Sequence, residues 1–185
     1  MKKFSLETER LVLRPLKLSD LDAIYQNAND KFQTRFLKSI EPPVSRKQEA
    51  NWIRSTWKQW KKGTGFSFAA IRKDSNEMIG ALDLLEVSKT HRRAKIGIFF
   101  YQKHWGHGFG TEAVKRLLGF GFKTLKLNRI EYGFMEENTR SAGVMKKLGF
   151  KIEGIQREFL RKRGKFVNHV FGSILASEWK KRKKV

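Results

Sequence analysis

IGIFFYQKHWGHGFGTEAVKRLLGFGFKT, residues 96–124, holds three kinds of sequence in succession. The β-branched and aromatic run at its start reads as a strand buried on both faces. Gly106, Gly108 and Gly110 follow, and from Thr111 a helical apolar face begins, carrying Val114, Leu117, Leu118 and Phe122. Strand, glycine loop and helix N-terminus in that order make a seat for phosphate. Glycine lets backbone approach an anion, and the first-turn N–H groups lack intrahelical partners. A tight connection with no ligand would carry the same G-x-G-x-G triplet, so both readings stand on these residues alone. Gly119 and Gly121 cost a helix about 1 kcal/mol each relative to alanine, so close packing is expected there.

Upstream, RLVLRPL at residues 10–16 alternates as a half-buried strand does. Ser19 and Asp22 read as a capping box for a helix through Leu21, Ile24, Tyr25 and Ala28, with another turn or two after Asp30. Ser45 and Gln48 form a second box, opening a helix with Ala50, Ile53, Trp57 and Trp60 on one face and Gly63 at its end. That stripe reads as core packing, with a pocket-lining tryptophan as the alternative. Strands at 66–72 and 78–85 lead into the central one. Downstream come a strand at 130–135, a helix capped by Asn138 with Ala142, Met145 and Leu148 inward, and strands at 150–160 and 166–175 around the turn RKRGK. The expectation is one α/β (α+β) domain over residues 1–179, with about seven strands in a mixed, twisted sheet and about four helices, followed by a basic tail at 180–185.

Composition narrows the partners. The 185 residues include no cysteine, which removes disulfides, thiolate nucleophiles and cysteine metal sites. Of four histidines only His104 and His107 are close in sequence, and no acidic residue neighbours them there, so no metal site is expected. No secretory or membrane-spanning run is present, and a cytoplasmic protein is expected. Forty Lys and Arg against 18 Asp and Glu give a net charge of +22, a field that attracts polyanions and opposes cationic substrates.

TERLVLRPLKLSDLDAIY, RRAKIGIFF with HWGHGFGTEA, ENTRSAGVMKKLGF and EGIQREFLRKRGKFVNHVFGSIL, in that order, resemble the GNAT N-acetyltransferases. The resemblance spans residues 8–179 and is nearest to the branch of ribosomal-protein N-terminal (alanine/serine) acetyltransferases. It implies a sheet splayed between the strands at Ile96 and Ile130, with acetyl-coenzyme A as co-substrate in the splay. Pantetheine would pair with backbone at Ile98, Phe99 and Phe100, and the pyrophosphate would lie on Gly106, His107, Gly108, Phe109, Gly110 and Thr111. Asn138 would sit beside the pantetheine, and Ser141 would be the catalytic acid that protonates the leaving sulfur. Ser141 as a first-turn residue satisfying its own helix is the plainer alternative.

Three positions depart from the family pattern. Met145 stands where many members carry an acidic tyrosine, Lys95 where relatives with an RRAEIG-type segment have glutamate, and Asn168 where an aspartate is usual. No general base is therefore assigned; Asp83, Glu86 and His104 are unranked candidates. An α-amine, with a pKa of about 7.7–8.0, is partly neutral without help, whereas a lysine at about 10.4 is not, which favours a protein N-terminus as acceptor, a ribosomal protein among the candidates. Two other expectations compete. One is a small-amine acceptor such as a polyamine or antibiotic, served by an acidic pocket from Glu86, Glu136 and Glu137. The other is a catalytically impaired ribosome- or RNA-binding member, using Phe159 and Phe166 among the hairpin's basic residues, although strand alternation is read as turning both rings to the core. Monomer and homodimer both fit.

Overall fold

The computed structural model of the protein describes residues 4–181. Its eight-stranded sheet runs in the order β1-β2-β3-β4-β5-β6-β8-β7. The strands are β1 (Leu6–Glu7), β2 (Leu11–Pro15), β3 (Phe66–Arg72), β4 (Met78–Ser88), β5 (Arg93–Phe100), β6 (Arg129–Met135), β7 (Lys151–Lys162) and β8 (Lys165–Leu175). The helices are α1 (Leu21–Ala28), α2 (Lys31–Thr34), α3 (Arg46–Lys62), α4 (Phe109–Gly119), α5 (Thr139–Leu148) and α6 (Ala176–Lys181). The mixed class expected from sequence holds, with one more strand and two more helices. Two-residue β1 carries too little pattern to be read, and α6 takes Lys180 and Lys181 from the expected tail; residues 182–185 of that tail lie outside the described residues.

Period-two alternation sends side chains to two cores. Leu13, Phe68, Leu82, Leu84, Ile96 and Ile130 meet α4 and α5 on one face. Leu16, Ala69, Ile71 and Ala81 meet Ile24 of α1 and Ile53 of α3 on the other. Central β3 is buried on both sides, apolar from Phe66 to Ile71 except for the buried Ser67. Leu117 and Leu118 are fully buried, each contributing about 1.5–3 kcal/mol. Beyond α4 the chain makes one π-helical turn over Phe120–Thr124. A Cβ at Gly121 would come within 2.6 Å of Ile130 Cδ1, so the close packing expected there exists. At Gly119 the nearest atom is 4.0 Å away, and the expectation fails.

The Ser45–Gln48 box forms in full, with Gly63 left-handed at φ 70°. Trp57 and Trp60 donate their indole N–H groups to the Leu16 and Ser67 carbonyls at 2.8 and 3.0 Å, so the stripe is packing. The Ser19–Asp22 box does not form. Asp20 instead receives the Arg14 guanidinium at 2.7 and 2.8 Å and the Lys17 N–H at 2.8 Å, and charge-assisted bonds outcompete a neutral cap.

At the other end, β7 and β8 turn through Arg163 and Gly164, both at positive φ as a tight hairpin demands. Lys162 reaches the Ile40 carbonyl and Glu41, and Arg163 the Lys31 carbonyl, so the hairpin tip is tied to the segment after α1. The rings of Phe159 and Phe166 are 46% and 63% exposed, not core-facing as alternation suggested. The register shift between Gln156 and Leu160 breaks the alternation, and the sheet outruns the helices that would cover it.

Candidate active site

Strands β5 and β6 are the parallel pair, connected through α4, and they pair at only four positions, ending with Ile96 opposite Tyr132. From Gly97 to Phe100 the edge of β5 toward β6 is unpaired, which is the expected splay. A cavity of about 300 Å³ opens there. Ile98, Phe99, Phe100, Gly106, Gly108, Phe109, Gly110 and Thr111 line one side; Asn138 and Ser141 line the other. His107 is exposed on the loop, and its ring leans on Phe109 at 6.1 Å rather than lining the cavity.

The glycine loop fits an anion. Helix α4 starts two residues earlier than its apolar face suggested, with Gly108 as N-cap at φ 80° and no side chain capping it. A Cβ at Gly106 would meet nothing within 4 Å. The first-turn N–H groups and the positive helix end therefore face open space.

Arg10, a residue not singled out in the sequence, anchors this end of α4. Its backbone N–H donates to Glu112 Oε1 at 3.0 Å, its Nε to Oε2 at 2.7 Å, and its Nη1 to the His107 carbonyl at 3.0 Å. Burial opposes ionisation of Glu112, yet hydrogen bonds from Thr8 and Arg10 and the Arg10 charge hold its carboxyl below the usual range. A residue just before β2 whose partner comes about a hundred positions later leaves no local signal.

Across the cavity, Asn138 Oδ1 accepts the Ser141 N–H at 3.2 Å and caps α5. The Tyr132 hydroxyl donates to Ser141 Oγ at 3.0 Å. Burial pushes the Tyr132 phenol up to about 12, so it stays protonated and leaves the Ser141 hydroxyl hydrogen free to point elsewhere. The family's tyrosine position is Met145, buried beneath α5, and Tyr132 reaches the same serine from β6. Alternation on β6 could have placed Tyr132 facing α5.

The other candidates separate. Lys95 pairs with Glu86 at 2.6 Å. Asn168 donates to Glu136 at 2.8 Å and accepts the Glu158 N–H at 2.9 Å, so it holds the β7 bulge without a charge. His104 is buried with Nε2 at 3.5 Å from Glu77, an acidic neighbour that sequence proximity hid. Lys103 also pairs with Glu77. Among the described residues no group of three His, Cys, Asp or Glu approaches metal-binding geometry, and no helix is long and apolar enough to cross a membrane. Arg140 lies over the Trp105 ring at 3.9 Å, and Arg140 and Lys147 put positive charge on the cavity wall, where the described lining residues include no Asp or Glu.

Comparison with known proteins agrees with this geometry. The family described as the acetyltransferase (GNAT) domain matches residues 10–151. An uncharacterized N-acetyltransferase of Bacillus licheniformis, p20, is 33% identical over 95% of this chain and 98% of its own. The ribosomal protein uS5-alanine N-acetyltransferase of Escherichia coli is 28% identical over 96% of this chain and 93% of its own. The crystal structure of spermidine N-acetyltransferase from Vibrio cholerae, with CoA and spermine, superposes with a TM-score of 0.83 at 25% identity, covering 94% of this chain and 99% of that one. A splayed β5–β6 pair, an uncapped glycine loop opening α4 and a family match over most of the chain together place the protein in the GNAT family of acetyl-coenzyme A-dependent N-acetyltransferases.

Proposed function

We propose that this enzyme acetylates the α-amine of a protein N-terminus in the cytoplasm, a ribosomal protein being the leading candidate. One observation carries the choice of acceptor: the described residues lining the cavity include Arg140 and Lys147 but no carboxylate. A polyamine would meet like charge along that wall, while a peptide presents one amine and no further obligatory cation. Two of the three acids considered for a polyamine pocket are engaged elsewhere, Glu86 with Lys95 and Glu136 with Asn168, and Glu137 is exposed outside the cavity lining. The uS5-alanine acetyltransferase among the relatives supports the same class.

Bound acetyl-coenzyme A supplies the acyl group as a thioester. The unpaired edge of β5 from Gly97 to Phe100 offers backbone partners for its pantetheine and for charge developing on the acyl oxygen. Asn138 flanks it, and the uncapped amides from Gly108 to Thr111 take the pyrophosphate. Ser141 is the proton donor to sulfur, oriented by the hydrogen bond it accepts from the Tyr132 hydroxyl. The +22 charge suits docking on an RNA-rich particle. Phe166 shares a face of β8 with Val170, whereas Phe159 stacks on His169, which points the opposite way, so the hairpin offers no single stacking platform for RNA.

The test presents acetyl-coenzyme A with ribosomal-protein N-terminal peptides beginning with alanine or serine, the same peptides blocked at the amine, and spermidine. A mass gain of about 42 Da on the free peptides alone is expected. Transfer to spermidine but to no peptide overturns the proposal.

A further inference from the structure

The sheet face that carries α1 and α3 holds two titratable groups beside the splay, Asp83 of β4 and His169 of β8. Beyond Ile96 and Tyr132, the next residues of β5 and β6 are both glycine, Gly97 and Gly133, and both point to this face. A Cβ at Gly97 would lie 3.1 Å from Asp83 Oδ2, and one at Gly133 would lie 2.6 Å from both Cε1 and Nε2 of His169. The carboxylate thus leans over β5 and the imidazole over β6, from opposite sides. Between them neither strand carries a side chain on this face, a glycine-floored trough at the start of the splay, with Leu85 Cδ1 3.5 Å from the Cβ position of Gly97. Phe99 packs on the core of this face and also lines the cavity, so trough and cavity meet at the splay.

Each group is arranged for a guest. Asp83 Oδ1 is covered by protein yet lacks a hydrogen-bond partner. Gln156 Oε1 lies 3.1 Å from His169 Nδ1, which makes Nδ1 the donor and leaves Nε2, over Gly133, as the nitrogen with a free lone pair. Phe159 stacks on the imidazole at 5.3 Å, and Lys38 lies over that phenyl ring at 4.9 Å.

We propose that the acceptor's primary amine seats in this trough, its N–H groups held by the Asp83 carboxylate while Nε2 of His169 takes its proton. The proposal rests on the acetyl-transfer reading of the adjoining cavity. The amine nitrogen bonds the acyl carbon as the C–S bond breaks. One N–H proton passes to Nε2 and from there to solvent, and the sulfur is protonated from Ser141. One carboxylate facing one imidazole accommodates a single amine, in keeping with a chain terminus. Charge and burial favour the assignment. Burial, with the charges of Lys38 and Lys95, holds the His169 imidazole below its usual value, so it is neutral at pH 7. Burial pushes Asp83 up to about 6 against a hydrogen bond from Ser67, so the carboxylate is ionised above that pH. Of the other charges on this face, Lys95 is paired with Glu86, and Glu131 is held by Arg93 and Arg129.

The protein has four histidines, so its imidazole NMR resonances can be followed singly. The CoA-loaded enzyme is titrated with alaninamide, a minimal α-amine, and the His169 resonance is identified by its loss in His169→Gln. That resonance is expected to move saturably, and to stop responding in Asp83→Asn. With an accepted peptide, His169→Gln is expected to lower kcat at least about a hundredfold and to leave only the Asp83 limb near pH 6 in the rate profile, with CoA affinity unchanged. An unresponsive His169 resonance in the loaded wild type, or a His169→Gln enzyme within about twofold of wild-type kcat, overturns the proposal. If no N-terminal peptide is acetylated, the choice of acceptor fails, and the alaninamide titration still decides the trough.

Discussion

Cutting Glu112 back to alanine isolates what the N-terminal segment does for the glycine loop. The side chain receives three N–H groups of Arg10, with Nη2 at 2.6 Å the shortest, while Arg10 holds the His107 carbonyl. Hydrogen bonds to charged groups contribute about 1.5–3 kcal/mol when covered, and exposed ion pairs about 0–1. Arg10 is 45% exposed and Glu112 20%, which places the fork between those limits, at about 1–1.5 kcal/mol. For a chain of this length that lowers Tm by about 2–6 °C. Because the fork clamps the loop at the end of α4, part of the loss should appear in the ligand, as a CoA affinity reduced about 3–10-fold. Thermal melts and titration calorimetry with CoA, on wild type, Glu112→Ala and Arg10→Ala, measure both. Lower melting temperatures with unchanged CoA affinity in both variants would refute the reasoning and leave the fork a stabiliser of the fold alone. Acid supplies a control. The Glu112 carboxyl is depressed in the folded state, so its contribution is present above the unfolded value and lost as pH falls, and the melting gap should close in acid.

Tyr132→Phe should lower kcat about fivefold, the worth of one hydrogen bond, with CoA affinity unchanged, since only the hydroxyl backing Ser141 is removed. Gly108→Ala has room for its methyl, 3.5 Å from Arg10 Nη2, but must hold φ 80°, so about 1–2 kcal/mol of backbone strain should weaken CoA binding, read by calorimetry. The hydrogen bond from Arg129, opposed by burial and aided by Ser173, holds Glu153 down to about 2. Its stabilisation is therefore whole above about pH 4.5 and lost as pH falls toward 2. For so exposed a pair we expect about 1 kcal/mol, so Glu153→Gln should melt about 2–4 °C lower at pH 7 and match wild type near pH 2.

What the sequence disclosed follows the range of the interactions involved. The Ser45–Gln48 box, the Gly63 cap and Asn138 above α5 are local, and each stands where its spacing put it. The strand, glycine loop and helix that organise the cavity are equally contiguous. The Ser19–Asp22 box gave way to Asp20, whose carboxylate takes both the Arg14 guanidinium from β2 and the Lys17 N–H. Arg10 with Glu112, and Asp83 and His169 over neighbouring glycines, are brought together by the order of elements in the fold, and nothing in the spacing of one segment announces them. Phe159 failed for another reason, the bulge after Gln156 that reset the alternation on β7, while Phe166 shares the face of buried Val170 yet lies 63% exposed near the hairpin tip.

With four paired positions between β5 and β6, the sheet behaves as two stiff leaves on a short hinge, β1–β5 and β6–β8. A ligand lying along the unpaired length of β5 completes the ladder as a missing strand would, and its binding free energy is added to the fold. At a hundredfold excess over its Kd such a ligand stabilises by about 2.7 kcal/mol, a substantial part of a domain's margin of about 5–15 kcal/mol. The folding stability of this sheet is therefore a function of metabolite concentration: a cell depleted of coenzyme A would hold the same chain with a smaller margin against unfolding.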